Sequence, residues 1–180
     1  MACPPPVPTN QCSQAAPIVA GVSPNGCYSN NCTQYGPSNA FNGATTGGSG
    51  LTGHAITANS LTGHVMRFDL GAQFSDALII DIVGVNFDGT SPFIIQSQNL
   101  SVWFASTTDY LAWNGTSYKC AENVGVTTIG GTLRVTCPSQ SAGARYVTIR
   151  RIMPVSQEFT ANSGFLSLLE VTVTRSCESP

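Results

Sequence analysis

Charge is what this chain has least of. Lys, Arg, Asp and Glu make up 9% of the 180 residues, the formal net charge is -2, and no Lys or Arg falls between Arg67 and Lys119. Nucleic-acid partners are excluded on that ground, because phosphate neutralisation needs clustered cations. The chain has no CxxC pair, and its two histidines, His54 and His64, stand ten positions apart, which matches no familiar zinc spacing. Both are expected to be ordinary surface or turn residues. Ser-His-Asp order, a paired-carboxylate motif and a GxSxG elbow are all missing, so no enzyme is expected. Asp69 is the one acid worth weighing, and a strand-end Asp bonded to turn amides or to Arg67 accounts for it without catalysis. No apolar run is long enough to span a bilayer. Met1-Ala2-Cys3-Pro4 lacks the charged start and apolar core of a signal peptide, so a leader is expected to have been removed already.

What the chain does hold is a hydrophobic fraction of 42%, enough for one core, with abundant Gly, Ser, Thr and Asn to cover it. We expect a Pro-rich strap over residues 1–17, a single domain over 18–177 and a short tail over 178–180. The strap, "CPPPVPTNQCSQAAP", is expected to be extended and pinned by cysteines.

Strand-like runs are expected at 18–22, 65–70, 77–87, 99–106, 126–128, 132–137, 146–153 and 166–174, while Gly and Pro interrupt every candidate helix. In "RYVTIRRI", Tyr146, Thr148 and Arg150 face one way and Val147, Ile149 and Arg151 the other; "LSVWFAS" alternates similarly. "ALIIDIVGV" is apolar almost throughout, as a central strand covered on both faces would be, with Asp81 paired or turned outwards. About eight strands separated by turns predict an all-β, antiparallel sandwich.

Seven cysteines without a metal pattern point to disulfides and an oxidising compartment, so a secreted, extracellular or cell-surface location is expected. Cys120 and Cys137 lie in strand-like runs joined by a short hairpin and make the first candidate bridge. Cys27 with Cys32 closes a small loop, and Cys177 reaches back to Cys12 or Cys3, leaving one cysteine for an intermolecular bond. Three sequons, at Asn31, Asn99 and Asn114, fit the same route.

The order of three motifs carries a resemblance. "SNAFNGATTG", "HVMRFDLG" and "ARYVTIRR…LSLLEVTV" are similar to the opening turn, the Arg-x-Asp-Leu-Gly strand and the closing segments of discoidin-type domains, over roughly residues 38–173. Among these the chain most resembles the F-type lectins (fucolectins), in which a cysteine pair brackets a short segment much as Cys120 and Cys137 do before "ARYV". The resemblance implies a galactose-binding-like jelly roll whose partners meet the loops at one end. It places His54 near the histidine of the fucose site. The segment that should bring two arginines and a vicinal cysteine pair, "NFDGTSPFIIQSQN", contains neither residue type, so standard fucose chemistry is not expected. That loop instead offers Asn86, Asp88, Gln96 and Gln98, amides and a carboxylate that hydrogen-bond neutral sugars, with Phe87 and Phe93 for stacking. The resemblance also implies a calcium site made of Asn39, Asn42 and Glu170 with nearby carbonyls. Here Asn42 and Ala44 stand where the family prefers Asp and a second Asn, which weakens it.

Two functions follow as expectations. One is a lectin-like module binding glycans or glycoproteins through its loop end. The other is a structural module of an extracellular glycoprotein assembly, such as a cell wall, matrix or surface filament, which self-assembles and takes no soluble sugar. Attachment to membrane lipid would need exposed apolar tips, for which Phe93, Ile94 and Ile95 are the candidates.

Overall fold

The computed structural model of the chain describes residues 15–43, 53–58, 64–84, 96–108, 117–139, 143–151 and 165–176. Its described strands are β1 (Ala20–Val22), β2 (Ala55–Ile56), β3 (His64–Phe74), β4 (Ala77–Val83), β5 (Leu100–Ala105), β6 (Ser117–Val124), β7 (Thr132–Cys137), β8 (Ala144–Arg151), β9 (Ser167–Leu168) and β10 (Glu170–Ser176). They form a five-stranded sheet in the order β1-β3-β8-β5-β6, a three-stranded sheet β10-β4-β7 and a small β2-β9 pair, with every pairing antiparallel.

The alternation seen in the sequence builds the core. In the large sheet Met66, Ile149 and Val102 stand in register across β3, β8 and β5, and Phe68, Val147 and Phe104 form the next inward row, two residues along the strands. Opposite them, Ile80 of β4 pairs with Val173 of β10 and with Val135 of β7. All nine side chains belong to one buried cluster, so the two sheets share a single core. Truncating one of the inward phenylalanines is worth about 3–5 kcal/mol in such surroundings.

Several expectations need correction. Residues 126–128 are not a strand, whereas β6, of whose eight residues only Cys120 was placed in a strand-like run, is one. β6 alternates poorly in polarity because it is an edge, half-exposed strand. β4 is central in its sheet but buried on one face only: Leu78, Ile80 and Ile82 point in, while Ile79, Asp81 and Val83 are half-buried outside. Asp81 does turn outwards and is gripped by Arg134, Nε to Oδ1 at 2.7 Å and Nη2 to Oδ2 at 2.8 Å. The closing segment breaks at Leu169, whose N–H bonds to the Val83 carbonyl and so separates β9 from β10. A four-residue helix, α1 (Cys32–Tyr35), follows the first loop, capped by the Asn31 side chain on the Gln34 N–H. The last residues of the Pro-rich segment extend the small sheet: Ala15 bridges Thr174 and the Ala16 N–H bonds to the Val173 carbonyl.

Both described cysteine pairs are bonded, Cys27–Cys32 and Cys120–Cys137. The second does not close a hairpin. β6 and β7 are hydrogen-bonded to different sheets, so this disulfide staples one edge of the large sheet to one edge of the small one. The expectations for Cys3, Cys12, Cys177, Asn86, Asp88, Phe93, Ile94, Ile95 and Asn114 lie outside the described residues.

Candidate functional site

Register decides which residues meet. His64, Arg151, Leu100 and Val124 form one row across β3, β8, β5 and β6, and Glu170, Val83 and Thr132 form the matching row of the small sheet. These rows mark one end of the sandwich. The 24–34 segment, the 96–99 turn and the 125–127 loop follow the strands at this end.

The first part of the site is the turn around Glu170. The Asn39 amide nitrogen donates to the carbonyls of Gln34 at 2.6 Å and His54 at 3.2 Å, tying the 36–43 segment to the residue just before β2. The Gly43 N–H donates to Glu170 Oε2 at 3.1 Å. Glu170 is only 5% exposed and lines, with Ala16, Ile18, Phe41 and Val173, a cavity of about 150 Å³. Gly43 has φ of +80°, a conformation that favours glycine and lets its amide aim at the carboxylate. Asn39 and Asn42 thus lie in the 36–43 segment, which the Gly43 N–H ties to Glu170 on β10. Their donors are hard oxygens, which suits calcium, but the described residues hold no cluster of three His, Cys, Asp or Glu side chains. The residues fit a weak site with Glu170 as its one carboxylate.

The second part is an interior polar layer. His64 and Arg151 are cross-strand partners on the inward face of the large sheet, and both are buried. Arg151 Nη1 donates to the Phe165 carbonyl at 2.8 Å. His64 Nδ1 shares a hydrogen bond with Thr57 Oγ1 at 3.2 Å, and that hydroxyl accepts the Leu166 N–H at 3.0 Å. Burial first, then the facing Arg151 guanidinium, depress the His64 pKa from 6.5 to about 4, so the imidazole is neutral at ordinary pH. Burial also lowers Arg151, to about 10, which leaves it charged. Tyr28, beside the Cys27–Cys32 disulfide, packs edge-on against Phe165 at 5.2 Å and closes this layer from the side. Sequence reasoning gave no role to Thr57, Arg151 or Phe165. The signal was the doubled Arg in "TIRRI", whose second member falls on the inward parity.

The histidines are therefore not surface residues. His54 is fully buried, with its carbonyl bound by Asn39, and its ring is out of reach of a ligand on the surface. Gln96 is likewise buried, at 2% exposed, while Gln98 is half-buried and open to solvent. Gln98 lines a cleft of about 190 Å³ with Asn99, Asn123 and Thr127. Asn123 and Thr127 went unnoticed as site residues in the sequence, although Gly125 between them is a turn signal. Of the described sequons, Asn31 is exposed and Asn99 is half-buried.

Asp69, at the far end of the sheet, is structural. Arg145 grips it with Nε at 2.7 Å and Nη2 at 2.8 Å, and the Gly71 N–H adds a bond at 2.8 Å. The Arg145 hydrogen bonds hold its carboxyl below the usual carboxylate range. Of the two expected kinds of partner the turn amide is present, in Gly71, while Arg67 donates to the Thr108 carbonyl.

No family profile and no curated protein matches the sequence. Solved structures do match in shape. A fucolectin from striped bass (Morone saxatilis) serum superposes with a TM-score of 0.64 at 18% identity, covering 87% of this chain and 45% of that one. The lectin domain of lectinolysin in complex with Lewis B antigen gives 0.61 at 17% identity, over 90% and 96% of the two chains. An F5/8 type C domain from Bacteroides fragilis gives 0.59 at 10% identity, over 93% and 98%. This chain therefore has the antiparallel β-sandwich fold of the F-type lectin and discoidin domains.

Proposed function

We propose that the chain is an extracellular, non-catalytic carbohydrate-binding module that meets glycans with the loops at one end of its sandwich. The observation that carries this reading is the fold shared with lectin domains, one of them solved with a Lewis-type glycan in place. Its loop end offers amides and hydroxyls, which both donate and accept as saccharide hydroxyls require. The two disulfides favour an oxidising, extracellular setting. Gln98 is the assigned contact among the described residues, and buried His54 and Gln96 support the loops from beneath. Calcium, held weakly by Asn39, Asn42 and Glu170, would brace the first turn against the closing strand. The test is a glycan array probed with the disulfide-intact protein, first with calcium and then with chelator. Defined saccharide binding that falls in Gln98→Ala supports the reading; silence from folded protein overturns it.

A second reading is a structural module that assembles with copies of itself or with other glycoproteins. It is favoured by β1, a short edge strand whose flank exposes Val19 at 58% and Val22 at 45%. Light scattering across a concentration series separates the two: a monomer throughout removes self-assembly.

A further inference from the structure

A cleft lies between the 98–99 turn and the 123–127 segment. Its polar lining is Gln98, Asn99, Asn123 and Thr127, with Val124 and Val126 forming an apolar floor. No lining residue carries a charge. Phosphate, sulfate, carboxylate and amine ligands would find no counter-ion there, whereas hydroxyls would find groups that donate and accept in alternation. The apolar floor suits the C–H face of a sugar ring. At about 190 Å³ the cleft is smaller than the roughly 300 Å³ at which drug-sized sites begin, so it takes a single ring rather than an extended oligosaccharide.

Both walls are built in advance. The Val126 N–H donates to the Ser97 carbonyl at 3.0 Å, and Ser97 Oγ donates to the Ser167 carbonyl at 2.7 Å, anchoring the turn to β9. Gly125 lies so close to the turn that a Cβ there would stand 2.8 Å from Gln98 Cα and 3.1 Å from the Ser97 carbonyl oxygen. The two asparagines that face the cleft are both in the left-handed region, Asn99 with φ of +53° and Asn123 with φ of +55°. Non-glycine residues adopt this conformation uncommonly and at some cost in free energy, and here it occurs at both lips of one cleft. A cleft so fixed loses little entropy when a ligand enters.

We infer that this cleft is a binding site for one neutral saccharide ring, held by the side chains of Gln98, Asn99, Asn123 and Thr127. The inference rests on the carbohydrate-binding reading and names its site. Asn99 also heads the triplet Asn99-Leu100-Ser101, so the ring can arrive from two sources: a free glycan, or a glycan linked to Asn99 itself.

The experiment is a titration of the full, disulfide-intact, unglycosylated chain with D-galactose, D-glucose, D-mannose, N-acetyl-D-glucosamine and L-fucose, followed by amide NMR. A parallel sample from a glycosylating host and its Asn99→Gln variant form the second arm. A free ligand moves amides of residues 97–99 and 123–127, and Asn123→Ala with Thr127→Ala, both exposed positions, one near the end of β6 and one in the loop after it, weakens binding about tenfold or more. A self-supplied ring leaves free sugars without effect and moves the same amides only in the glycosylated sample, an effect lost in Asn99→Gln. Sugar-dependent shifts centred elsewhere overturn the cleft while leaving the carbohydrate-binding reading intact. No shift in either arm, together with a silent glycan array, overturns both.

Discussion

The backbone amide of Gly43 and the carboxylate of Glu170 meet at 3.1 Å across 127 residues of sequence. This one bond ties the first turn of the domain to the opening of its closing strand, and it fixes the carboxylate where a calcium ion is proposed. Glu170→Ala leaves the Gly43 donor without its acceptor and should cost about 1–3 kcal/mol in urea unfolding. Glu170→Gln keeps an acceptor oxygen but removes the charge. Calcium should raise the Tm of the native chain and leave that of Glu170→Gln unmoved. Equal shifts in the two proteins, or none in the native chain at millimolar calcium, would remove Glu170 as a ligand.

Cys120 and Cys137 close a loop of 17 residues' separation between two sheets. The chain-entropy account gives such a crosslink about 3 kcal/mol. The double variant Cys120→Ser, Cys137→Ser should lose stability of that order in denaturant melts. A loss much smaller than this would mean that the shared core alone holds the sheets together.

Acid should loosen the interior layer at the loop end. The folded chain keeps His64 neutral down to about pH 4, whereas the unfolded chain takes up the proton near 6.5. This contribution is therefore complete above 6.5, declines as pH falls towards 4 and is level below that, amounting to roughly 3 kcal/mol. Arg151 is the charged group facing the ring, and a protonated imidazole would stand opposite it. The Asp69 carboxyl, lowered by Arg145, adds its own loss at still lower pH, below the usual carboxylate range. Unfolding free energies across this window should slope downwards in the native chain and flatten in His64→Gln. An unchanged slope in the variant would assign the acid response to other groups.

His54→Ala should act on folding rather than on ligand affinity, because the ring is fully buried. Calorimetry should show a lower Tm, by the equivalent of about 2–4 kcal/mol for a buried side chain truncated to a methyl. Glycan titration of the remaining folded protein should give an unchanged Kd. A large affinity loss at unchanged Tm would return His54 to the ligand surface.

The architecture was largely legible in the residues. Alternation in "RYVTIRRI" separated Val147, Ile149 and Arg151 from Tyr146, Thr148 and Arg150, and the structure turns the first set inward, with Ile149 paired to Met66 and Val147 to Phe68. Period-2 patterning is local, so it survives without any knowledge of neighbours. β6 was missed for the opposite reason: an edge strand of half-exposed residues has weak patterning, and only its pairing with β5 makes it a strand. Asn39, Asn42 and Glu170 were named from the resemblance, and what the fold shows of them is the bond from the Gly43 N–H, next to Asn42, to the Glu170 carboxylate. His54 was named from the resemblance and Gln96 from the hydrogen-bonding groups of its segment, and neither signal reports burial.

By itself, then, the sequence determined an all-β, disulfide-bearing chain of low charge, with two of its bridges and the alternating faces of β8. Those follow from residue chemistry and from periods of two along the chain. Only the tertiary structure decided that Cys120–Cys137 spans two sheets, that His64 faces Arg151 in the interior, and that Gln98 and Asn99 share a cleft with Asn123 and Thr127. Each of these depends on strand order and register. In antiparallel pairing these bring distant residues face to face, and a shift of one position would turn every side chain to the other surface.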